Sequence, residues 1–202
     1  MHLRARNNLS TMPNRVLALS VLTAALAGCA TQSATWSSIE ESARTAQIGR
    51  YSVELPGGWM QLKSDQGDRH VVSRDGTNLQ LIEIVRTKPE EAFPNLKRGV
   101  PSGALPSELA ELQIANMRAG QGLANLSVVR NEPIAIAGTT GYSLLTQFKN
   151  SRGLRYERIV VGFAEADGYY TLSYQAPTLH YFGRDRATFD ALLRAFRASK
   201  PG

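Results

Sequence analysis

Cysteine is almost absent from this chain: Cys29 is the single one among 202 residues. One thiol excludes a disulfide within the chain, so stability must come from a hydrophobic core. Long apolar runs are absent as well. The run from Val16 to Ala27 has about a dozen residues, whereas a membrane-spanning helix needs about 20. The short run, which follows a basic and acid-free start, is typical of a cleaved targeting signal.

Histidine is also scarce, with three in the chain. Beyond the N-terminal segment only His70 and His180 remain, and neither belongs to a His-x-x-x-His or Glu-x-x-His pattern. A metal site with three or four converging ligands is therefore not expected. No Gly-x-Ser-x-Gly elbow exposes a serine nucleophile, and no glycine loop that could hold a phosphate follows a strand. We expect neither an enzyme nor a bound cofactor or metal.

The formal net charge of +6 overstates how basic the folded protein is. Three arginines, Arg4, Arg6 and Arg15, lie in the predicted signal, which contains no acidic residue. The rest of the chain has 20 basic and 17 acidic residues. A nucleic-acid-binding surface needs a clear cluster of lysine and arginine, so no nucleic-acid partner is expected. Mild attraction to anionic lipid headgroups is compatible with this charge.

The segment Leu26-Ala27-Gly28-Cys29 closes the apolar run and resembles the lipobox of bacterial lipoproteins. The resemblance implies cleavage between Gly28 and Cys29 by a dedicated signal peptidase, and a diacylglycerol on the cysteine sulfur. It implies a lipid-anchored protein of the cell envelope. Ala30, rather than aspartate, follows the cysteine, which favours the outer membrane, facing the periplasm. Met12 begins a compact signal of its own, so the true start is expected at Met12 or at the first residue.

Three segments are predicted along the chain. Residues 1–28 are the signal peptide, residues 29–46 the lipidated N-terminus with a small polar tether, and residues 47–202 a single domain. The sequence of the tether is compatible with a one-turn helix near residues 39–46. A domain of this size buries about 70% of its unfolded surface, which suffices for a core without disulfides.

Alternating apolar residues and turn signals predict an α+β domain with an antiparallel sheet. The expected strands are 51–55, a hairpin of 69–74 and 77–86 around Asp75-Gly76, and then 126–137, 142–149, 154–164 and 169–176. A turn is expected at 138–141, with a kink at Pro133. One helix begins at Pro106. Another, capped by Asp185, carries an apolar stripe made of Phe189, Leu192, Leu193 and Phe196.

Two motifs point to a family. Leu55-Pro56-x-x-Trp59 follows the first strand, and Gly168-Tyr169-Tyr170-x-Leu172-x-Tyr174-x-Ala176-Pro177 precedes the last helix. With the order of elements, they resemble the PsbP-like fold of photosystem II extrinsic proteins, a yeast Ran-binding import factor and many bacterial lipoproteins. The resemblance covers about residues 48–199. It implies an α/β/α sandwich with helices on both sides of the sheet, and binding rather than chemistry. Metal-binding and photosystem residues of some members have no counterpart here.

The loop 88–104 is the first candidate binding element, because loops of this length are often functional. Its candidate docking residues for an envelope protein partner are Phe93, Leu96, Lys97 and Arg98. The alternative is an ordinary loop that tucks Phe93 into the core. Phe93→Ala is expected to destabilise the domain much less than Trp59→Ala or Phe196→Ala. If the loop docks a partner, Phe93→Ala is also expected to weaken partner capture.

Aromatic residues near the last helix are the second candidate. Most are expected in the core, but Tyr169 alternates outward from Tyr170 and could line a groove with Tyr181 and Phe182. Such a pocket would indicate a periplasmic carrier of a small apolar or aromatic ligand. A solid core would instead favour a non-catalytic accessory or protein-binding lipoprotein.

Overall fold

A computed structural model describes residues 35–62 and 67–199. They form eleven strands and two α-helices. The strands, in chain order, are β1 (Trp36–Ser38), β2 (Arg44–Ile48), β3 (Tyr51–Leu55), β4 (Met60–Leu62), β5 (Arg69–Ser73), β6 (Leu81–Thr87), β7 (Ala124–Ile136), β8 (Thr139–Lys149), β9 (Arg155–Glu165), β10 (Gly168–Pro177) and β11 (Arg197–Ala198). The helices are α1 (Pro106–Ala119) and α2 (Tyr181–Ala195).

The strands form two antiparallel sheets. The larger sheet has the order β1-β4-β5-β6-β10-β9-β8-β7, and the smaller one has the order β11-β3-β2. Strands that are adjacent in sequence and joined by short turns dominate the larger sheet, which is what the regular spacing of turn signals predicts. The α+β class with an antiparallel sheet is confirmed.

The side chains of the larger sheet alternate between two core layers. Tyr170 and Tyr174 of β10 belong to the layer beneath α2 and the smaller sheet, together with Phe189. Tyr169, their neighbour on β10, belongs to the opposite layer, where α1 supplies Leu109. Because both faces of the sheet are covered by helices, the predicted α/β/α arrangement is confirmed.

The folded domain begins before the predicted boundary at residue 47. β1 pairs with β4, and β2 pairs with β3. Between them, Ile39 is buried and donates its N–H to the Trp59 carbonyl at 2.8 Å. The prediction of a tether extending to residue 46 is therefore wrong for residues 36–46, and the helical turn near 39–46 does not form. In the sheets, the backbone N–H and C=O groups of these residues are hydrogen-bonded to neighbouring strands, whereas in a solvated tether they would be hydrogen-bonded to water.

Two turns differ from the prediction. Ile136 lies opposite Thr139, so the turn consists of Ala137 and Gly138 rather than residues 138–141. Both have positive φ, 50° and 86°, as a two-residue turn that matches the strand twist requires. Gly141 lies within β8 instead, where a Cβ would be 2.4 Å from the Gly162 carbonyl oxygen.

The hairpin of β5 and β6 is confirmed, but its turn is longer than Asp75-Gly76. Val72 pairs with Ile82, which leaves residues 74–80 as a loop. The buried Gln80 side chain fills this loop and donates to the Asp75 carboxylate at 2.9 Å. On the edge strand β7, the irregularities in its pairing with β8 lie between Ala124 and Arg130, and the predicted kink at Pro133 does not interrupt the pairing. Proline lacks an N–H, which an edge strand tolerates.

Helix α1 begins at Pro106 as predicted and ends before Gly120. Its first turn is closed by the Glu108 carboxylate, which accepts the Leu105 N–H at 2.8 Å. Within the described residues, neither helix is long and apolar enough to cross a membrane.

The prediction that Asp185 caps the last helix is wrong. α2 begins one turn earlier, at Tyr181, and buries Phe182, Asp185, Phe189 and Leu192. These residues recur at helical spacing, so Asp185 lies on the buried face and cannot be a solvent-exposed cap. Arg74 donates to its Oδ1 at 3.1 Å, and its Oδ2 accepts from Arg184 and Gln80 at 2.7 and 3.2 Å. The carboxylate fastens the β5–β6 loop to α2.

Arg184 also binds Asp75 in this loop, which gives stability a pH dependence. Hydrogen bonds from Arg184 and Gln80 lower the pKa of Asp75 below its ordinary value. The pKa in the folded state is thus below that of the unfolded chain, about 3.9. The resulting stabilisation is present above that value and is lost as the pH falls through the folded-state pKa. We expect Asp75→Asn to flatten the decline of the urea midpoint below about pH 4. Glu111→Gln on the exposed side of α1 is the control, and an unchanged decline in Asp75→Asn would contradict the expectation.

Candidate binding cleft

The predicted docking loop is part of the core. Phe93 is fully buried, and its ring packs on Tyr169 with the centroids 5.1 Å apart. Backbone hydrogen bonds of 3.0 and 3.2 Å join Phe93 and Arg98 in both directions and close the loop. Leu96 packs partly buried against the same core layer. The prediction that Phe93 contacts a partner is wrong, because its side chain is buried. Lys97 and Arg98 are exposed on this loop.

The predicted aromatic groove does not form. Tyr169 lies in the layer under α1, whereas Tyr181 and Phe182 pack on the opposite layer. The Tyr169 hydroxyl hydrogen-bonds with that of Tyr142 and donates to Gln113 Oε1 at 3.3 Å. Burial raises the pKa of both tyrosines. Since the sheet separates the three predicted residues, they cannot line a common ligand pocket.

The two histidines do not form a site with each other. His70 Nε2 is 2.7 Å from the Gln47 carbonyl oxygen, and Nδ1 is 3.3 Å from Gln61 Nε2. His70 therefore joins the two sheets. His180 is exposed at the start of α2, with its ring against Tyr181. In residues 35–62 and 67–199, no three His, Cys, Asp or Glu side chains are grouped as metal ligands. Gly28 and Cys29 lie outside the described residues.

A cleft opens where α1 stops covering its face of the sheet. Gly122 and Leu123, just after the helix, form one wall, and the ends of β8 and β9 form the floor. Two depressions of about 450 and 230 Å³ share Phe148. Arg152 and Arg158 line the larger, and Lys149 and Arg155 line the smaller. Lys149 pairs with Arg155, and both alternate with Phe148 and Arg158, so they point to the opposite face of the sheet. We call the larger depression, lined by Phe148, Arg152 and Arg158, the cationic cleft.

Arg158 is held rigidly in the cleft. It lies directly opposite Gln175 on β10, whose Oε1 accepts from Nε at 2.8 Å and also from Nη2. The guanidinium carbon is 5.1 Å from the centre of the Phe148 ring, a cation–π geometry. Burial lowers the pKa of Arg158, partly offset by the charge of Glu83. The guanidinium is thus oriented on two sides before any ligand arrives.

The basic residues of the cationic cleft lack acidic partners. Elsewhere arginines pair closely, as in Arg69–Glu83 at 2.6 Å and Arg186–Asp190 at 2.9 Å. Within the described part of the chain, no carboxylate lies within 4.0 Å of the charged groups of Lys149, Arg152, Arg155 or Arg158. None of the described residues lining the two depressions is acidic. Neither Arg152 nor Arg158 is therefore paired directly with a carboxylate of the described residues, although the charge of Glu83 acts on Arg158.

Sequence reasoning missed this site, although a signal was present. The segment 149–158 has a basic residue at every third position and a single acid, Glu157. In the structure Glu157 binds the Gln147 side chain at 2.9 Å. Because residues alternate along β9, it points to the other face of the sheet from Arg158. Lys149 and Arg155 point to that other face as well, so only Arg152 and Arg158 meet in the cleft.

Comparisons with known proteins identify the fold. No protein-family model and no curated protein matches the chain. The yeast Ran-binding protein Mog1p superposes over 78% of this chain and 95% of its own, with a TM-score of 0.52 and 10% identity. The domain shares its fold with Mog1p. The sequence motifs resemble a fold that includes a yeast Ran-binding import factor, and Mog1p is a yeast Ran-binding protein. The expected architecture is therefore confirmed.

Two further structures are similar. A Bacteroides thetaiotaomicron protein matches 80% of this chain with a TM-score of 0.50 and 12% identity. This chain spans 50% of that protein's length. Cyanobacterial PsbP from Synechocystis aligns with 85% of this chain and 96% of its own, at 13% identity and a TM-score of 0.48. At such identities the similarity concerns the fold alone, so function must be argued from the cleft.

Proposed function

We propose that this protein is a lipid-anchored, non-catalytic binding module of the bacterial cell envelope, and that the cationic cleft is its binding site. The observation that carries the proposal is that two arginines without acidic partners, Arg152 and Arg158, line one open cleft. A cation without a partner contributes little to stability, whereas a fixed group of cations favours recognition of a negatively charged partner. Mog1p, a Ran-binding protein, is an example of this fold in protein binding.

The anchor follows from the lipobox at residues 26–29. Since the sheet begins at Trp36, six residues lie between Cys29 and the first strand, and seven Cα–Cα steps join Cys29 to Trp36. Even a fully extended chain spans at most about 25 Å over that length. A lipid on Cys29 therefore keeps the domain close to the bilayer, where an envelope partner must come to it. Ala30 after the cysteine supports the outer membrane as the site of anchoring.

The anchor is tested by Cys29→Ala. We expect the variant to leave the membrane fraction and to keep its signal peptide, because the acyl chains supply about 0.8 kcal/mol of binding per buried CH₂. Fractionation and the mass of the purified protein measure both effects. Membrane association of Cys29→Ala that resists a high-salt wash would contradict the lipid anchor. Recovery of the wild type only in inner-membrane fractions of a sucrose gradient would contradict the outer-membrane assignment.

The binding role is tested by crosslinking and capture from the native envelope with the lipidated protein. Arg152→Glu reverses an exposed charge of the cationic cleft without removing buried contacts. We expect this variant to lose a specific crosslinked partner that the wild type retains. Arg194→Glu is the matched control, because Arg194 is exposed on α2, on the opposite face of the sheet. Equal crosslinking by both variants would contradict the assignment of the site to the cleft.

A further inference from the structure

The bonding of Arg158 leaves part of its guanidinium free for a ligand. An arginine carries five N–H donors, and Gln175 Oε1 accepts from Nε and from Nη2. No other hydrogen bond of the Arg158 side chain is made to the residues that the structure describes. No N–H of Arg158 is both buried and without a partner. Nη1, which has no partner among the described residues, is therefore accessible, and Arg158 lines the cationic cleft.

An unneutralised guanidinium in this half-buried position is costly. Removing a charge from water is unfavourable unless an opposite charge or hydrogen bonds compensate it. Gln175 compensates only part, because an amide oxygen carries no net charge. An anion placed against the free N–H groups would complete the compensation, and charge-assisted bonds of this kind are about twice as strong as neutral ones.

The larger depression has the size and composition for a small anionic group. Its volume of about 450 Å³ suits a small molecule or a lipid headgroup. Arg152, on the turn after β8, lines the same depression as Arg158. The opposite wall is held in place by Tyr156, whose hydroxyl donates to the Asn78 carbonyl at 2.6 Å. Two arginines thus border one depression whose walls are anchored.

We propose that the cationic cleft binds a phosphate group between Arg158 and Arg152, an inference that rests on the cleft being the binding site proposed above. Arg158 offers a pre-oriented, planar pair of donors, and Arg152 supplies a second charge from the exposed turn. A phosphate monoester carries a charge of about −1.5 to −2 and three terminal acceptor oxygens, which matches two arginines better than a single carboxylate does.

The proposal is tested with inorganic phosphate. The full-length chain carrying Cys29→Ala, which cannot be lipidated, is titrated and followed by NMR of the arginine side chains and backbone amides. We expect saturable shifts confined to the cationic cleft, with a dissociation constant of about 1–10 mM. Arg158→Gln should weaken binding at least about tenfold, and Arg152→Gln about threefold to tenfold. Arg194→Gln, the control on the opposite face, should leave the affinity unchanged.

Variants of the same residue separate the geometry of Arg158 from its charge. Arg158→Lys keeps the charge and loses the planar pair of donors, so we expect several-fold weaker binding than in the wild type. If Arg158→Gln lowers the melting temperature so far that binding cannot be measured, the result for the exposed Arg152→Gln decides. Absence of saturable shifts with inorganic phosphate, or equal affinities for Arg152→Gln and Arg194→Gln, would overturn the proposal.

The source of the phosphate group is identified by two further probes. One arm uses glycerol 3-phosphate in solution, and the other uses vesicles of phosphatidylglycerol in phosphatidylcholine. Binding in either arm that Arg158→Gln weakens and Arg194→Gln does not supports the proposal and names the source. Binding in neither arm overturns it. These results are independent of the anchor, because the fractionation of Cys29→Ala succeeds or fails whether or not phosphate binds.

Discussion

Replacing Phe93 with alanine is expected to lower the free energy of unfolding by about 3–5 kcal/mol, as for other buried phenylalanines. Phe93 has no exposed surface, and its ring packs on Tyr169 in the layer beneath α1. The loss should match those of Trp59→Ala and Phe196→Ala, since both residues are also buried. This reverses the expectation from sequence, in which Phe93 lies on an exposed loop. Chemical denaturation of the three variants measures the effect.

Leu179→Ala is the control for Phe93→Ala. Leu179 is 84% exposed, so its truncation should change stability by less than about 0.5 kcal/mol. A loss of unfolding free energy below about 1 kcal/mol for Phe93→Ala, with losses of about 3–5 kcal/mol for Trp59→Ala and Phe196→Ala, would contradict the burial of Phe93 and favour an exposed docking residue.

Asp185→Ala is expected to cost about 3 kcal/mol of stability. The carboxylate is 1% exposed and accepts hydrogen bonds from Arg74, Arg184 and Gln80. Its removal leaves the buried Gln80 amide without one acceptor and two arginines without their buried partner. Broken buried ion pairs cost about 3–5 kcal/mol, and the lower end applies because both arginines reach solvent. Asp185→Asn, which keeps the shape and one oxygen acceptor, should lose less.

Asp190→Ala on the same helix is the matched control. Asp190 pairs with Arg186 one turn earlier at 2.9 Å, but both side chains are about one-third exposed. An exposed pair at this spacing contributes about 0.3–0.5 kcal/mol. Similar losses for Asp185→Ala and Asp190→Ala in urea denaturation would show that the loop between β5 and β6 does not depend on the buried carboxylate.

The strands and helices were largely predictable because their signals are local. The alternation in residues 154–164 and 169–176 and the proline at position 106 act within a few residues of the elements that they specify. Errors arose where a distant partner decides the local structure. Trp36–Ser38 is a strand because Met60–Leu62 pairs with it, and the small polar residues around it carry no such information.

The candidate site was less predictable, for the same reason. Phe93 was expected to be exposed because its neighbours are prolines and charges, yet it lies under α1 in the core layer that Tyr169 also joins. Tyr169 and Tyr181 seemed to belong together because they are close in sequence, but the sheet lies between them. Burial depends on which elements pack together, and short-range patterns do not report it.

The sequence by itself determined the α+β class, the antiparallel strand order along the chain, the likeness to the PsbP-like fold, and the prediction of a lipid on Cys29. Each rests on the order and chemistry of neighbouring residues. Only the tertiary structure decided that Phe93 and Asp185 are buried, and that Arg152 and Arg158 line one cleft. The pairing of strands and the point at which α1 stops covering the sheet place those charges, and both depend on contacts between residues far apart in the chain.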